Sequence, residues 1–127
     1  MHGVPRNLPV QFFVGMTLTE FRPRMNVIQF CFSSPPADNP RSLEVHVEGD
    51  WRLASEDGAT LAMCEGDPQQ EEVYRLIESF VGQQVVAAAV DAPCSFTFTF
   101  ATGITMTVFD NSESFESFSI PQFSIYV

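Results

Sequence analysis

Glu44, His46 and Glu48 alternate along LEVHVEG, so two carboxylates and an imidazole share one face of an extended strand, opposite Leu43, Val45 and Val47. Successive members of such a set stand about 7 Å apart. With Asp50 beyond them, they would supply part of a Zn or Mn site if another strand added ligands. A solvent-facing polar strand side accounts for the same residues, and no metal or other cofactor is expected. Asp110, Glu113 and Glu116 are close enough in sequence for paired-carboxylate acid–base work. Acids are abundant in this chain, however, and nothing around these three would raise a carboxyl pKa. The thiols Cys31, Cys64 and Cys94 are odd in number and lack CxxC spacing, which points to reduced cysteines. Cys31 and Cys94 are flanked by Phe and strand residues and read as buried structural thiols. The second His, His2, is close to the N-terminus, and no GxSxG, P-loop, GxGxxG or HExxH pattern occurs. The expectation is a protein that is not an enzyme.

Charge is more informative. The chain has 127 residues and a formal net charge of −10, and its six basic residues are all Arg. Residues 1–47 carry a balance of +1, residues 48–75 one of −6, and residues 76–127 one of −5 with no basic residue at all. No Arg/Lys stripe exists to neutralise phosphates, so nucleic acid is excluded as a direct partner, as is an anionic lipid surface. A basic protein is the complementary partner. No apolar run approaches the roughly 18 residues of a membrane span. The start MHGVPRNLPVQFFVG lacks the apolar core and cleavage site of a signal peptide, so a cytoplasmic location is expected.

The elements that position these residues are mainly strands. Phe30 and Phe32 follow Ile28 at alternate positions, as do Phe98 and Phe100 after Phe96, and Met106 and Val108 after Ile104. A period of two marks half-buried antiparallel strands, and thirteen Phe suit a β-rich core. Ser33-Ser-Pro-Pro36, Asp57-Gly58, Asp91-Ala-Pro93 and Thr102-Gly103 are the breaks between them. Residues 68–80 differ: Val73, Leu76, Ile77 and Phe80 fall at helical spacing behind Asp67 as N-cap and Pro68 at the first helical position. Gly82 is placed to end that helix.

The two β regions repeat. Phe13-Val14-Gly15 and Phe80-Val81-Gly82 match at an offset of 67, and each is followed by three alternating segments in the same order. Each copy closes on an acidic stretch, VEGDW at 47–51 and FDNSE at 109–113. The predicted fold is one α+β domain, mainly β: two similar antiparallel β-meanders joined by one amphipathic helix, with repeats at about 12–53 and 80–120. In the second closing stretch, Phe115, Phe118 and Ile120 are expected to return to the core. Pro121 in FSIPQFSIYV suggests an edge strand or bulge.

VEGDW (47–51) and FDNSESFESFSI (109–120), on either side of a central helix, resemble a family of small uncharacterised bacterial domains with V-E-G-x-W and F-D-x-S-x-x-Y-E-S-x-x-I motifs. Phe115 stands where that family often has Tyr, and the likeness covers about residues 12–120. It implies no catalytic residues. Size, charge and class also make the chain similar to immunity proteins of bacterial toxin systems, including contact-dependent growth inhibition. That likeness implies a cognate basic toxin domain, nuclease-like, as partner. The candidate contacts are Glu48, Asp50, Trp51, Glu56 and Asp57 in the first half and Asp110, Glu113, Phe115 and Glu116 in the second, although Trp51 reads more readily as core than as contact. The alternatives are a structural module, such as a homodimer paired through strand edges, and a small-ligand-binding domain.

Overall fold

The alternating segments form strands, and their apolar faces close one core. The computed structural model describes residues 4, 7–23, 27–34, 41–63, 75, 77–79, 81–91, 94–110, 118–123 and 125–126. In chain order the strands are β1 (Thr17–Pro23), β2 (Ile28–Ser34), β3 (Arg41–Val47), β4 (Trp51–Ala54), β5 (Thr60–Met63), β6 (Val85–Asp91), β7 (Ser95–Phe100), β8 (Thr105–Phe109), β9 (Phe118–Ile120) and β10 (Ile125–Tyr126). They build two antiparallel five-stranded sheets, ordered β1-β2-β3-β9-β10 and β5-β4-β8-β7-β6. Arg75, Ile77, Glu78 and Ser79 are helical, with Ile77 buried and the other three exposed, as an amphipathic helix requires. The rest of the predicted span 68–80 lies outside the described residues. Mainly β with one helix between two meanders is therefore the observed class.

The meanders β1-β2-β3 and β6-β7-β8 correspond pair by pair. Leu18 opposes Phe32 as Val85 opposes Phe100, and Phe21 opposes Phe30 as Ala88 opposes Phe98. Both first hairpins carry a bulge at the same place, between Leu18 and Glu20 and between Val85 and Ala87. At the meeting of the two sheets the hydrogen bonds come in matched sets. Gly15 N donates to Val85 O at 2.8 Å and Gly82 N to Leu18 O at 2.7 Å; Val85 N donates to Met16 O and Leu18 N to Gln83 O. Each pair maps onto its mate by the offset of 67, about a bridge between Thr17 and Gln84.

After each meander the chain crosses to the other sheet. β4, continuing from β3, pairs with β8, and β9, continuing from β8, pairs with β3. Trp51 opposite Val108 and Phe118 opposite Val47 are the matching contacts. Only Glu48, Gly49 and Asp50 link β3 to β4. Packed sheets lie about 10 Å apart and four Cα steps reach at most about 14 Å. The link, bent at Gly49, is thus just long enough to carry the chain from one sheet to the other. The exchange ties the halves together, since neither sheet is complete without a strand from the other repeat.

The shared core is aromatic. Phe32 of the first sheet meets Phe98 of the second edge-on at 5.6 Å, Phe13 lies 4.8 Å from Phe98, and Phe96 lies 4.8 Å from Phe118. Such pairs add to the area they bury. Phe118 and Ile120 are fully buried, while Phe115 lies outside the described residues. Pro121 opens a short 3₁₀ turn between β9 and β10 rather than sitting in an edge strand; its fixed φ suits the turn, which needs no N–H from it.

Candidate protein-docking surface

The crossings set the positions of the acids. Asp91 ends β6, and the turn after it brings Cys94 O to the backbone N–H of Asp110 at 2.8 Å. Phe109 N in turn donates to Asp50 O at 3.0 Å, and Glu48 lies two residues before Asp50. Asp91, Asp110, Asp50 and Glu48 therefore line one end of the molecule, where β6 and β8 stop and β4 begins. Asp91 is exposed, Glu48 and Asp50 are half-buried, and Asp110 is buried at 4% exposure. Of the arginines among the described residues, Arg22 is held by Glu20 at 3.0 Å. Arg52 reaches toward the opposite end of β4, donating to Gly58 O at 2.8 Å.

Glu56 and Asp57 do not join this row. They occupy the β4–β5 turn, and roughly 17 Å of extended chain separates Asp50 from Ser55 at that turn. Asp57 works as a turn residue there, its Oδ1 accepting from Ser55 Oγ and from Ala59 N at 3.1 Å. These two bonds hold its carboxyl below the ordinary carboxylate range, the Ser55 hydroxyl contributing most. Two expected contacts need correction. Trp51 is 2% exposed and belongs to the core, because its place opposite Val108 turns the indole inward. Asp110 is too buried to meet a partner directly. Glu113, Phe115 and Glu116 lie outside the described residues. Asp91 was missed by sequence reasoning; its place at the end of a strand, before the Asp-Ala-Pro turn, was the available signal.

Glu44 and His46 face outward with Val45 and Val47 buried, but Glu48, expected on the same face, lies past the end of β3 in the link to β4. His46 Nε2 donates to Glu44 Oε2 at 2.9 Å, and the Cys31 thiol points to Glu44 Oε1 at 3.9 Å. Among the described residues, no group of three or more His, Cys, Asp and Glu is placed to hold a metal ion. The Cys31 thiol is pushed up by burial and then by the negative charge of Glu44, the opposite of what a thiolate nucleophile needs. Cys31 is only half-buried and Cys94 is exposed, which corrects the expectation of two buried thiols. Cys94 sits in the β6–β7 turn, outside the alternation that buries its Phe neighbours.

No family model, curated protein or solved structure matches the chain. The surface must be read from its own chemistry. No helix among the described residues is long and apolar enough to cross a membrane. The described surface offers an acidic end and, on the first sheet, a polar ionic face.

Proposed function

We propose that this chain is a non-enzymatic binding module that receives a basic protein at its acidic end, in the manner of an immunity protein neutralising a cognate nuclease-like toxin domain in a bacterial cytoplasm. The observation that carries this reading is the row Asp91–Asp110–Asp50–Glu48. Here β-strand ends and a crossing link gather acids in a chain of net charge −10. A toxin that grips phosphates must present a positive surface, and an acidic partner is steered to it quickly. Asp91, Asp50 and Glu48 make the direct contacts, and Asp110 adds its charge from behind. The resemblance to immunity proteins agrees with this reading.

The test is to co-express the chain with the protein encoded beside its own gene and to measure binding of the two purified proteins across a salt series. Growth rescue is expected, with association slowing as salt rises. The Glu48→Gln/Asp50→Asn/Asp91→Asn variant should associate more slowly at low salt. A neighbour that is neither toxic nor bound, or a triple variant with unchanged association, would refute the reading.

A further inference from the structure

The chain passes from its first half to its second once, through residues 64–74, yet each half completes the other's sheet. The first half supplies β1, β2 and β3 to one sheet and β4 and β5 to the other. The second supplies β6, β7 and β8 to that other sheet and β9 and β10 to the first. Hydrogen bonds cross the seam between the halves in several places. Gly15 and Leu18 are joined to Val85 and Gly82 beside the axis, Gln11 Nε2 donates to Ala88 O at 2.7 Å, Glu44 N to Gln122 Oε1 at 2.9 Å, and Phe109 N to Asp50 O at 3.0 Å. Phe32 meets Phe98 across it in the core, and Trp51 lies opposite Val108. At the axis, a bond from Gly15 to Val85 is matched by one from Gly82 to Leu18, the reciprocal pattern of an isologous dimer interface. None of these contacts depends on the two halves belonging to one molecule.

We propose that this seam is a dimer interface closed within a single chain, and that a second copy of the chain can take the place of either half. In the exchanged dimer the first half of each copy folds with the second half of the other, giving two lobes of the same fold. Every seam contact is kept, and only the molecule that supplies each half changes. The eleven residues 64–74 reach at most about 40 Å when extended. A domain of this length has a radius of gyration of about 14 Å and is about 36 Å across, so the link is long enough to run from one lobe to its neighbour. Within one chain, such a link holds the halves at an effective concentration on the order of millimolar. One copy is therefore the stable form at micromolar concentration, and exchange competes when the chain folds near millimolar. Opening the seam after folding means parting the aromatic core, so either form persists once made. The acidic end is also built across the seam, with Glu48 and Asp50 from the first half and Asp91 and Asp110 from the second. An exchanged dimer thus carries two complete acidic ends, each made by two copies of the chain.

Refolding the full chain from urea at micromolar and at millimolar concentration, followed by dilution, tests this. Sedimentation equilibrium should find one copy after the dilute refolding and a persistent fraction of two copies after the concentrated one. Two variants locate the exchange. Phe32→Asp puts a charge into the core from the first half, and Phe98→Asp does so from the second. Refolded alone, each should leave Trp51, the single Trp, exposed. Refolded together at millimolar concentration, each mixed pair contains one lobe free of both substitutions, so burial of Trp51 should recover to up to half the level of the unsubstituted chain. Neither misfolding nor contact between outer surfaces produces that gain. A mass of one copy after refolding at every concentration, a dimer that falls apart on dilution, or no recovery of Trp51 on mixing would overturn the proposal. Failure of toxin rescue alone would leave it standing, because mass and Trp51 emission are read without the basic partner.

Discussion

Thr17 faces Gln84 in a single antiparallel bridge, and the two residues stand 67 positions apart, the offset that relates the two repeats. A bridge between equivalent residues can occur only where a local two-fold axis passes between them. The matched bonds of Gly15, Leu18, Gly82 and Val85 on either side are a consequence of that geometry. Gln84 adds a side-chain bond from Nε2 to Gly15 O at 3.0 Å that Thr17 is too short to return.

Equivalence about this axis predicts equal energetics. Gly15 has φ of +91° and Gly82 of +99°, and a Cβ at either would meet nothing within 4 Å. Gly15→Ala and Gly82→Ala should therefore each lose about 1–2 kcal/mol, from backbone conformation alone. The pair should not be additive, because each glycine's N–H bonds the strand that the other introduces. Urea unfolding of the two single variants and the double measures this. A neutral Gly82→Ala beside a costly Gly15→Ala would sink the symmetry argument.

Gly103 is constrained differently. Its φ is +90°, and a Cβ there would come within 2.9 Å of Glu56 Cβ and 3.0 Å of Cγ. Gly103→Ala thus combines backbone strain of about 1–2 kcal/mol with a clash between two neighbouring turns. Truncating the neighbour by Glu56→Ala leaves its Cβ in place, so it should recover part of the clash and none of the strain. A double-mutant cycle by thermal or urea unfolding should show favourable coupling between the substitutions. Strict additivity would mean that the turns move apart freely.

The meanders were legible because period-two alternation is a local signal: Phe96, Phe98 and Phe100 are buried and Thr97 and Thr99 are not. Ile77 in the helix was legible for the same reason at the helical period. The crossing of β4 and β9 was not, since no local pattern says which of two similar sheets a strand will join. That choice carried much of the candidate surface with it. It turned Trp51 inward, sent Glu56 and Asp57 to the far end of β4, and aligned Asp91 with Asp50 across strands distant in sequence. Cys94 misled because its Phe neighbours suggest a strand, whereas the turn after Asp91 still contains it.

Asp57 should titrate below an ordinary aspartate because Ser55 Oγ and Ala59 N both stabilise its carboxylate. By linkage, a carboxyl whose pKa is lower folded than unfolded adds stability above the unfolded value. That contribution fades as pH falls through the folded value. Ser55→Ala removes the larger cause and should move the Asp57 midpoint up toward the usual range, and should make the turn less sensitive to acid. Carboxyl-detected NMR titration of both proteins is the measurement. An unchanged midpoint in Ser55→Ala would show that the backbone donor alone sets it.

The two described thiols should differ in reactivity for a stated reason. Cys94 is exposed in a turn, whereas Cys31 is half-buried beside Glu44 and has its pKa raised by burial first and by that carboxylate second. Only the thiolate is alkylated, so at neutral pH iodoacetamide should modify Cys94 well before Cys31. Raising the pH should speed Cys31 along a profile displaced upward from that of an ordinary thiol. Glu44→Gln removes the charge but keeps the side-chain volume, and should quicken Cys31 without reaching the rate of Cys94, because burial persists. Peptide mapping by mass spectrometry over a time course separates the sites. Equal rates at Cys31 and Cys94, or no response to Glu44→Gln, would mean that the sheet face carrying Glu44, His46 and Cys31 is far more open in solution than its hydrogen bonds imply.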